Sequence, residues 1–258
     1  MRNRENWAPT KFEQHGGRWR GSRDPNQVMV SSRLMADRIA AAYVRALENH
    51  ARGDLLDLGC GHVPLYGSYR HLVKSVICAD WPQTMHYSPH LDVEVDLNGH
   101  LPFDTASFDT VLLTDVLEHL PYPDKFWVEL CRVLKPGGTA IVGVPFMYWL
   151  HEQPHDHHRY TEHRLRLFCQ DHGFDVLECS PYGGPTDVAA DVLGKLLYHS
   201  GVLKWVARPV MWFGELIGRR RIDMTSPLPL GYLLVARRTV KSHLVEPIQN
   251  QPSPAREL

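Results

Sequence analysis

The sequence predicts an α/β protein with a doubly wound, mainly parallel sheet of seven strands and a helical insertion before the last strand. Three observations carry this. Short apolar runs alternate with amphipathic stretches through most of the chain, the pattern of strand–helix repeats. The runs are short and bounded by glycine, as in strands buried on both faces. The rhythm then breaks over residues 187–218, where leucines recur at helical spacing before a final apolar run.

Taken in order, residues 1–27 are polar, rich in Arg and Gly, and read as an extended arm with Trp7 and Trp19 as isolated aromatics. Arg18, Arg20 and Arg23 put cations beside Trp19, so the arm either closes over a ligand site or is a basic tail. Over 28–50, Val30, Leu34, Ile39, Tyr43 and Leu47 fall near a 3.6-residue period and predict a helix. "DLLDLGCG" is the first strand, "KSVICADW" the second, "LDVEVDLN" the third and "SFDTVLLTDVLEHL" the fourth. "FWVELCRVLKPGG" predicts a helix with Phe126, Leu130, Val133 and Leu134 on one side, stopped by Pro136-Gly137-Gly138. "TAIVGVPF" is the fifth strand. Residues 161–174 predict a helix capped by Thr161 and stopped by Gly173, and "DVLECSPYG" is the sixth strand. Leu193, Leu196, Leu197, Leu203, Val206, Val210, Phe213 and Ile217 mark the insertion over 187–221, a lid that ends in Arg219-Arg220-Arg221. Its basic amphipathic character would allow weak contact with a membrane surface. "PLGYLLVARR" is the seventh strand and closes a domain over 28–240. The proline-rich residues 241–258 are expected to be disordered.

Composition excludes several classes. With 258 residues, 43% hydrophobic and 22% charged, the chain has ordinary globular composition. A net charge of −1 gives no field that would attract nucleic acid. Five scattered cysteines without a C-x-x-C pair fit reduced thiols in a cytoplasmic protein. The loop "HEQPHDHHRYT" contains the letters H-E-x-x-H, but Pro154 forbids the helix that a zinc protease needs there.

"LLDLGCGHVPLYG" is the most informative stretch. Gly59 and Gly61 allow a sharp turn and close approach of backbone to a ligand. A dinucleotide fingerprint would continue G-x-G-x-x-G, whereas Pro64 occupies the third glycine position, so a pyrophosphate cradle is disfavoured. The turn follows an acid, Asp57, and a second acid, Asp80, ends the next strand.

With these motifs in order, and "RVLKPGG" before the fifth strand, residues 50–180 resemble the class I S-adenosylmethionine-dependent methyltransferases. The resemblance implies their Rossmann-like fold and S-adenosyl-L-methionine as cofactor. It assigns Asp57, Gly59, Cys60 and Gly61 to the methionine part, Asp80 to the ribose, Trp81 to packing on the adenine, and Asp96 and Leu97 to the adenine edge. Asp115 and Val116, opening Asp115-Val116-Leu117-Glu118-His119, correspond to the turn beside the sulfonium, with His119 on the substrate side. The loop His155-Asp156-His157-His158-Arg159-Tyr160-Thr161 resembles a subgroup with H-D-x-x-R-Y-T that acts on sugars or small metabolites.

Methyl transfer needs alignment of nucleophile and methyl, and a proton acceptor where the nucleophile is a hydroxyl or amine. His155 is expected as the base and Asp156 as its orienter, with His151 as a second catalytic candidate. Arg159 would hold an anionic group, Tyr160 would touch the substrate, and Glu152 is a further substrate-side group. The alternative for Asp156 and Arg159 is an ion pair that braces the loop. A cation site made from His151, Glu152, His155 and Asp156 is considered and not adopted. The expected activity is O-methylation of a small-molecule or carbohydrate-like acceptor. N-methylation of a small amine, non-catalytic cofactor binding and NAD chemistry are the alternatives.

Overall fold

The computed structural model describes residues 1–83, 88–199 and 226–240. The chain opens with a hairpin, β1 (Phe12–His15) and β2 (Arg18–Gly21), followed by α1 (Arg33–His50) and β3 (Asp54–Leu58). A short helix, α2 (Tyr66–Tyr69), leads to β4 (Ser75–Asp80), β5 (Val93–Glu94) and β6 (Phe108–Thr114). Then come α3 (Pro123–Val133), β7 (Leu134–Pro145), α4 (Glu162–Asp171), β8 (Phe174–Tyr182), α5 (Pro185–His199) and β9 (Gly231–Arg238).

Seven strands form one sheet in the order β5-β4-β3-β6-β7-β9-β8. Strands β5, β4, β3, β6 and β7 pair in parallel, and β9 pairs antiparallel with both β7 and β8. The expected doubly wound, mainly parallel architecture is therefore present. Successive strand residues feed opposite faces, as a two-residue repeat requires. Leu56, Val111 and Leu113 join α3 and α4 through Phe126, Trp127, Leu165 and Phe168 on one face. Leu55, Leu112 and Ile141 join α1 through Ile39, Tyr43 and Leu47 on the other.

Several local expectations are corrected. The arm is not simply extended: Gly16 and Gly17 take positive φ and close the β1–β2 hairpin. Trp7 donates its indole N–H to the Val63 carbonyl at 3.0 Å and packs edge-on against Tyr66. The third predicted strand shrinks to Val93–Glu94, because pairing with β4 extends only over Ala79–Asp80. Helix α3 ends at Val133, before Pro136, whose ring disfavours helical backbone at Lys135. Residues 135–138 then bulge out of the β6–β7 ladder, which resumes at Thr110–Thr139.

The α4 cap is as expected, with Thr161 Oγ accepting from Arg164 N at 3.3 Å and Gly173 at φ +76°. Helix α5 covers the first part of the predicted insertion and is tied to α1 by an Arg38–Asp187 ion pair at 2.9 Å. Leu203, Val206, Val210, Phe213, Ile217, Arg219-Arg220-Arg221 and the tail from 241 lie outside the described residues. Among the described residues, no helix is long and apolar enough to cross a membrane.

Candidate active site

The carboxyl ends of β3, β4, β6 and β7 point to one edge of the sheet, where doubly wound folds bind ligands. A cavity of about 560 Å³ opens there, within the range of small-ligand sites. Its floor is the turn after β3, with Asp57, Gly59, Cys60 and Gly61, and one wall is α1 with Met35, Ala36 and Ile39. Thr10, Lys11 and Phe12 from the N-terminal segment cover part of it. The far wall carries Thr114, Asp115, Glu118, Tyr148, His151 and Glu152.

The turn after β3 is built for close approach. Gly59 has φ +65°, and a Cβ there would lie 2.3 Å from Val116 Cγ2. Its N–H donates to the Ala79 carbonyl at 2.8 Å, and Gly61 N–H donates to Asp80 Oδ2 at 2.8 Å. Asp80 thus ties the turn to the end of β4, and it also accepts from Trp81 N at 2.7 Å. Asp57 is buried and accepts from Tyr69 Oη at 2.8 Å. Burial pushes its pKa up to about 7; the Tyr69 hydrogen bond offsets this in part, and the nearby Asp80 charge adds to it.

On the far wall, Asp115 sits at φ +56°, a strained conformation for a residue with a side chain. It accepts from Tyr43 Oη at 2.8 Å and from Lys11 Nζ at 3.0 Å. Beyond it a 3-10 turn, Leu117–His119, carries Glu118, which is fully buried on the cavity wall. Glu118 Oε1 lies 3.6 Å from His151 Nε2 and 3.7 Å from His119 Nε2. Burial raises the Glu118 pKa, against the pull of His151. Burial lowers the His151 pKa, and Glu118, Asp156 and Glu152 together raise it, for a net rise.

The loop after β7 differs from the expected acid–base arrangement. His151 lines the cavity, whereas His155 is exposed outside it, with its ring edge-on to Trp81 at 5.3 Å. The reason is Arg159. It grips Asp156 with two hydrogen bonds of 2.5 and 2.7 Å and donates to the Trp149 carbonyl at 3.2 Å and the His158 carbonyl at 2.8 Å. These bonds fasten the two ends of the loop together. They also hold the Asp156 carboxyl far below the usual range, so it is an ionised brace and not a base. Asp156 accepts from His151 N at 3.0 Å, so it positions His151 and not His155. Arg159 commits its donors to the loop itself, which corrects its expected substrate role.

Tyr160 is also corrected. It is buried in the core against Phe168, and its hydroxyl donates to the Leu117 carbonyl at 3.2 Å. Asp96 is exposed and caps Asn98 N at 2.9 Å, and Leu97 belongs to the core; neither lines the cavity. Asp80, Trp81 and Val116 are not among the residues that line this cavity; Asp80 sits beside the glycine turn and accepts from Gly61 N, and Trp81 is exposed. His119 reaches the cluster but not the cavity, and Glu152 reaches both. Sequence reasoning missed Glu118 as a site residue. Its signal was an acid placed between Leu117 and Leu120, both buried, where an exposed turn would have no apolar flanks.

Residues 56–142 match the family described as a methyltransferase domain. A probable S-adenosylmethionine-dependent methyltransferase of Mycolicibacterium smegmatis is 33% identical over 110 residues, covering 40% of this chain and 42% of that one. A ubiquinone biosynthesis O-methyltransferase of Xanthomonas oryzae pv. oryzae is 28% identical over 142 residues, covering 51% and 58%. The chain thus spans less than two thirds of these relatives. Among solved structures, an S-adenosylmethionine-dependent methyltransferase from Mesorhizobium loti aligns at TM-score 0.50 and 20% identity, over 80% of this chain and 100% of that one. The [4+2]-cyclase SpnF aligns at TM-score 0.51 and 19% identity, over 80% and 84%. These two show the fold, and the cyclase shows that the fold alone does not fix the reaction. The family match and the curated relatives add what the fold cannot: residues 56–142 resemble a methyltransferase domain in sequence as well as in fold.

Proposed function

We propose that the protein transfers a methyl group from S-adenosylmethionine to an oxygen of a small-molecule or carbohydrate-like acceptor. One observation carries this reading. The glycine turn and buried Asp57 open directly onto a cavity whose opposite wall presents Glu118 and His151. The residues fit the cofactor. Gly59, at φ +65° and against Val116, keeps the turn free of a side chain so that backbone lines the cavity, and Asp57 is a buried carboxyl with its pKa raised by burial, suited to an ammonium group. Asp57, Gly59 and Gly61 would hold the amino acid end, and Asp80 the ribose. When bound, the cofactor supplies a methyl carbon on a positively charged sulfur. Asp115 is held in place by Tyr43 and Lys11, and the Glu118–His151 wall faces an acceptor hydroxyl and orients it.

The test is calorimetric titration of the full chain with S-adenosylhomocysteine beside NAD, then an acceptor screen with labelled methyl donor. Homocysteine-product binding with no NAD binding is expected. His151→Ala should lower turnover by roughly a hundredfold, whereas His155→Ala should leave it within about twofold of the parent, since an exposed ring outside the cavity does no proton transfer. The reverse order would reinstate His155, and binding of NAD alone would sink the reading.

A further inference from the structure

We propose that Glu118, His119 and His151 form a binding site for one divalent transition-metal cation of the zinc, manganese or iron(II) type. One ligand atom from each of the three lies within 4.8 Å of the other two. They come from two separate segments, the turn after β6 and the loop after β7, brought together by the parallel pairing of those strands.

Unmet hydrogen bonds make the case. Glu118 is fully buried, and neither carboxylate oxygen has a hydrogen-bond partner among the described residues; His119 Nε2 has none either. A buried carboxylate without a donor is costly, and such groups are normally satisfied. The imidazoles do not supply the missing donor. His119 Nδ1 lies 3.0 Å from the His155 carbonyl oxygen, which can only accept, so that nitrogen carries the proton. In the neutral ring Nε2 is then a lone pair, aimed at Glu118. His151 Nδ1 lies 3.1 Å from Asp156 Oδ2, an ion-pair contact, and Asp156 is itself locked by Arg159. This orients His151 Nε2 toward Glu118 as well. An acceptor on the outer nitrogen, as the His155 carbonyl provides for His119, is the usual support for a metal-bound histidine; His151 Nδ1 makes no hydrogen bond among the described residues, and its backbone N–H to Asp156 holds the residue in place.

The centre of the cluster is thus lined by acceptors. The separations from Glu118 of 3.6 and 3.7 Å are too long for hydrogen bonds. They are near the roughly 3.4 Å between two ligands that each lie about 2.1 Å from a tetrahedral ion. Two imidazoles with one carboxylate favour borderline transition ions over magnesium or calcium. Glu152 Oε2, 3.7 Å from His119 Nε2, can supply a further oxygen. Since Glu118 and His151 line the cavity, an ion between them stands where an acceptor oxygen can reach it.

The experiment uses full-length protein stripped with chelator and titrated with zinc, manganese or magnesium chloride, with no cofactor or acceptor present. One equivalent of zinc or manganese should bind, with magnesium at least about a hundredfold weaker. Glu118→Gln and His151→Ala should each weaken binding by roughly a hundredfold, and His163→Ala, on the exposed face of α4, should not. Cobalt(II) should give a spectrum without thiolate charge transfer. A rise in melting temperature on adding zinc, present in the parent and lost in Glu118→Gln, reports on the site without any activity assay. Absence of binding in the parent, or zinc binding that survives both substitutions, overturns the proposal. It would assign protons to the cluster instead, as imidazolium against Glu118. The measurement does not depend on methyl transfer, so its failure and the failure of the proposed function are separate results.

Discussion

Replacing Asp57 by asparagine separates the charge of this buried group from its shape. Asp57 has its pKa raised from 3.8 to about 7 in the folded protein. Between those values the folded state holds a proton that the unfolded chain has released. Stability is therefore fully present below about pH 4 and lost as pH rises through about 7. At 1.36 kcal/mol per pH unit across that gap, about 4 kcal/mol is lost by pH 8, of which about 1.7 is already lost by pH 5. The asparagine side chain is neutral throughout this range. It keeps an oxygen for Tyr69 but adds an amide donor that costs about 1–3 kcal/mol if unpaired. That cost does not change with pH. Relative to the parent, Asp57→Asn should thus gain about 2–3 kcal/mol between pH 5 and pH 8, read from urea unfolding at both values with unchanged m. The same variant should bind S-adenosylhomocysteine at least about tenfold more weakly, since an ammonium loses its charge partner. A parent–variant difference that does not move with pH would refute the buried protonated carboxyl. Unchanged product binding would refute its cofactor role.

Gly59→Ala puts a methyl 2.3 Å from Val116 Cγ2 at φ +65°, so it should lower the melting temperature and abolish product binding in calorimetry. Tyr160→Phe removes one buried hydrogen bond to Leu117 and should cost about 1 kcal/mol in urea unfolding. Its steady-state kinetics should match the parent, and a clear rise in KM would return Tyr160 to the substrate. Trp7→Ala loses the bond to Val63 and the edge contact with Tyr66, so trypsin should cut faster within residues 1–25. An unchanged cleavage rate would mean that the hairpin is held without Trp7.

The parallel strands were legible because buried faces leave short apolar runs such as Val111-Leu112-Leu113. The glycine turn was legible because Gly59 and Gly61 serve a backbone need that no other residue meets cheaply. The hairpin was not, since only Phe12 and Gly21 of its strand residues are buried. A Gly16-Gly17 pair between short alternating runs was the signal available. In the histidine loop, spacing could not say which ring reaches the cavity. That choice is made by Arg159 bonding to carbonyls at both ends of the loop, including that of Trp149, far from it in sequence. Glu118 stayed hidden for a similar reason: its burial follows from the reversal at Asp115, which composition does not mark.

The position of β9 has a consequence for how the chain reaches its native state on a ribosome. The last strand among the described residues is second from the sheet edge, wedged between β7 and β8. Until residues 231–238 emerge, β7 has an open edge and β8 has no neighbour to pair with. The parallel half from β5 to β7 can pair during synthesis, but the sheet closes only once β9 has emerged. A nascent or truncated chain that stops short of Gly231 would therefore present the open edge of β7 and an unpaired β8, the kind of surface that chaperones bind and that seeds aggregation.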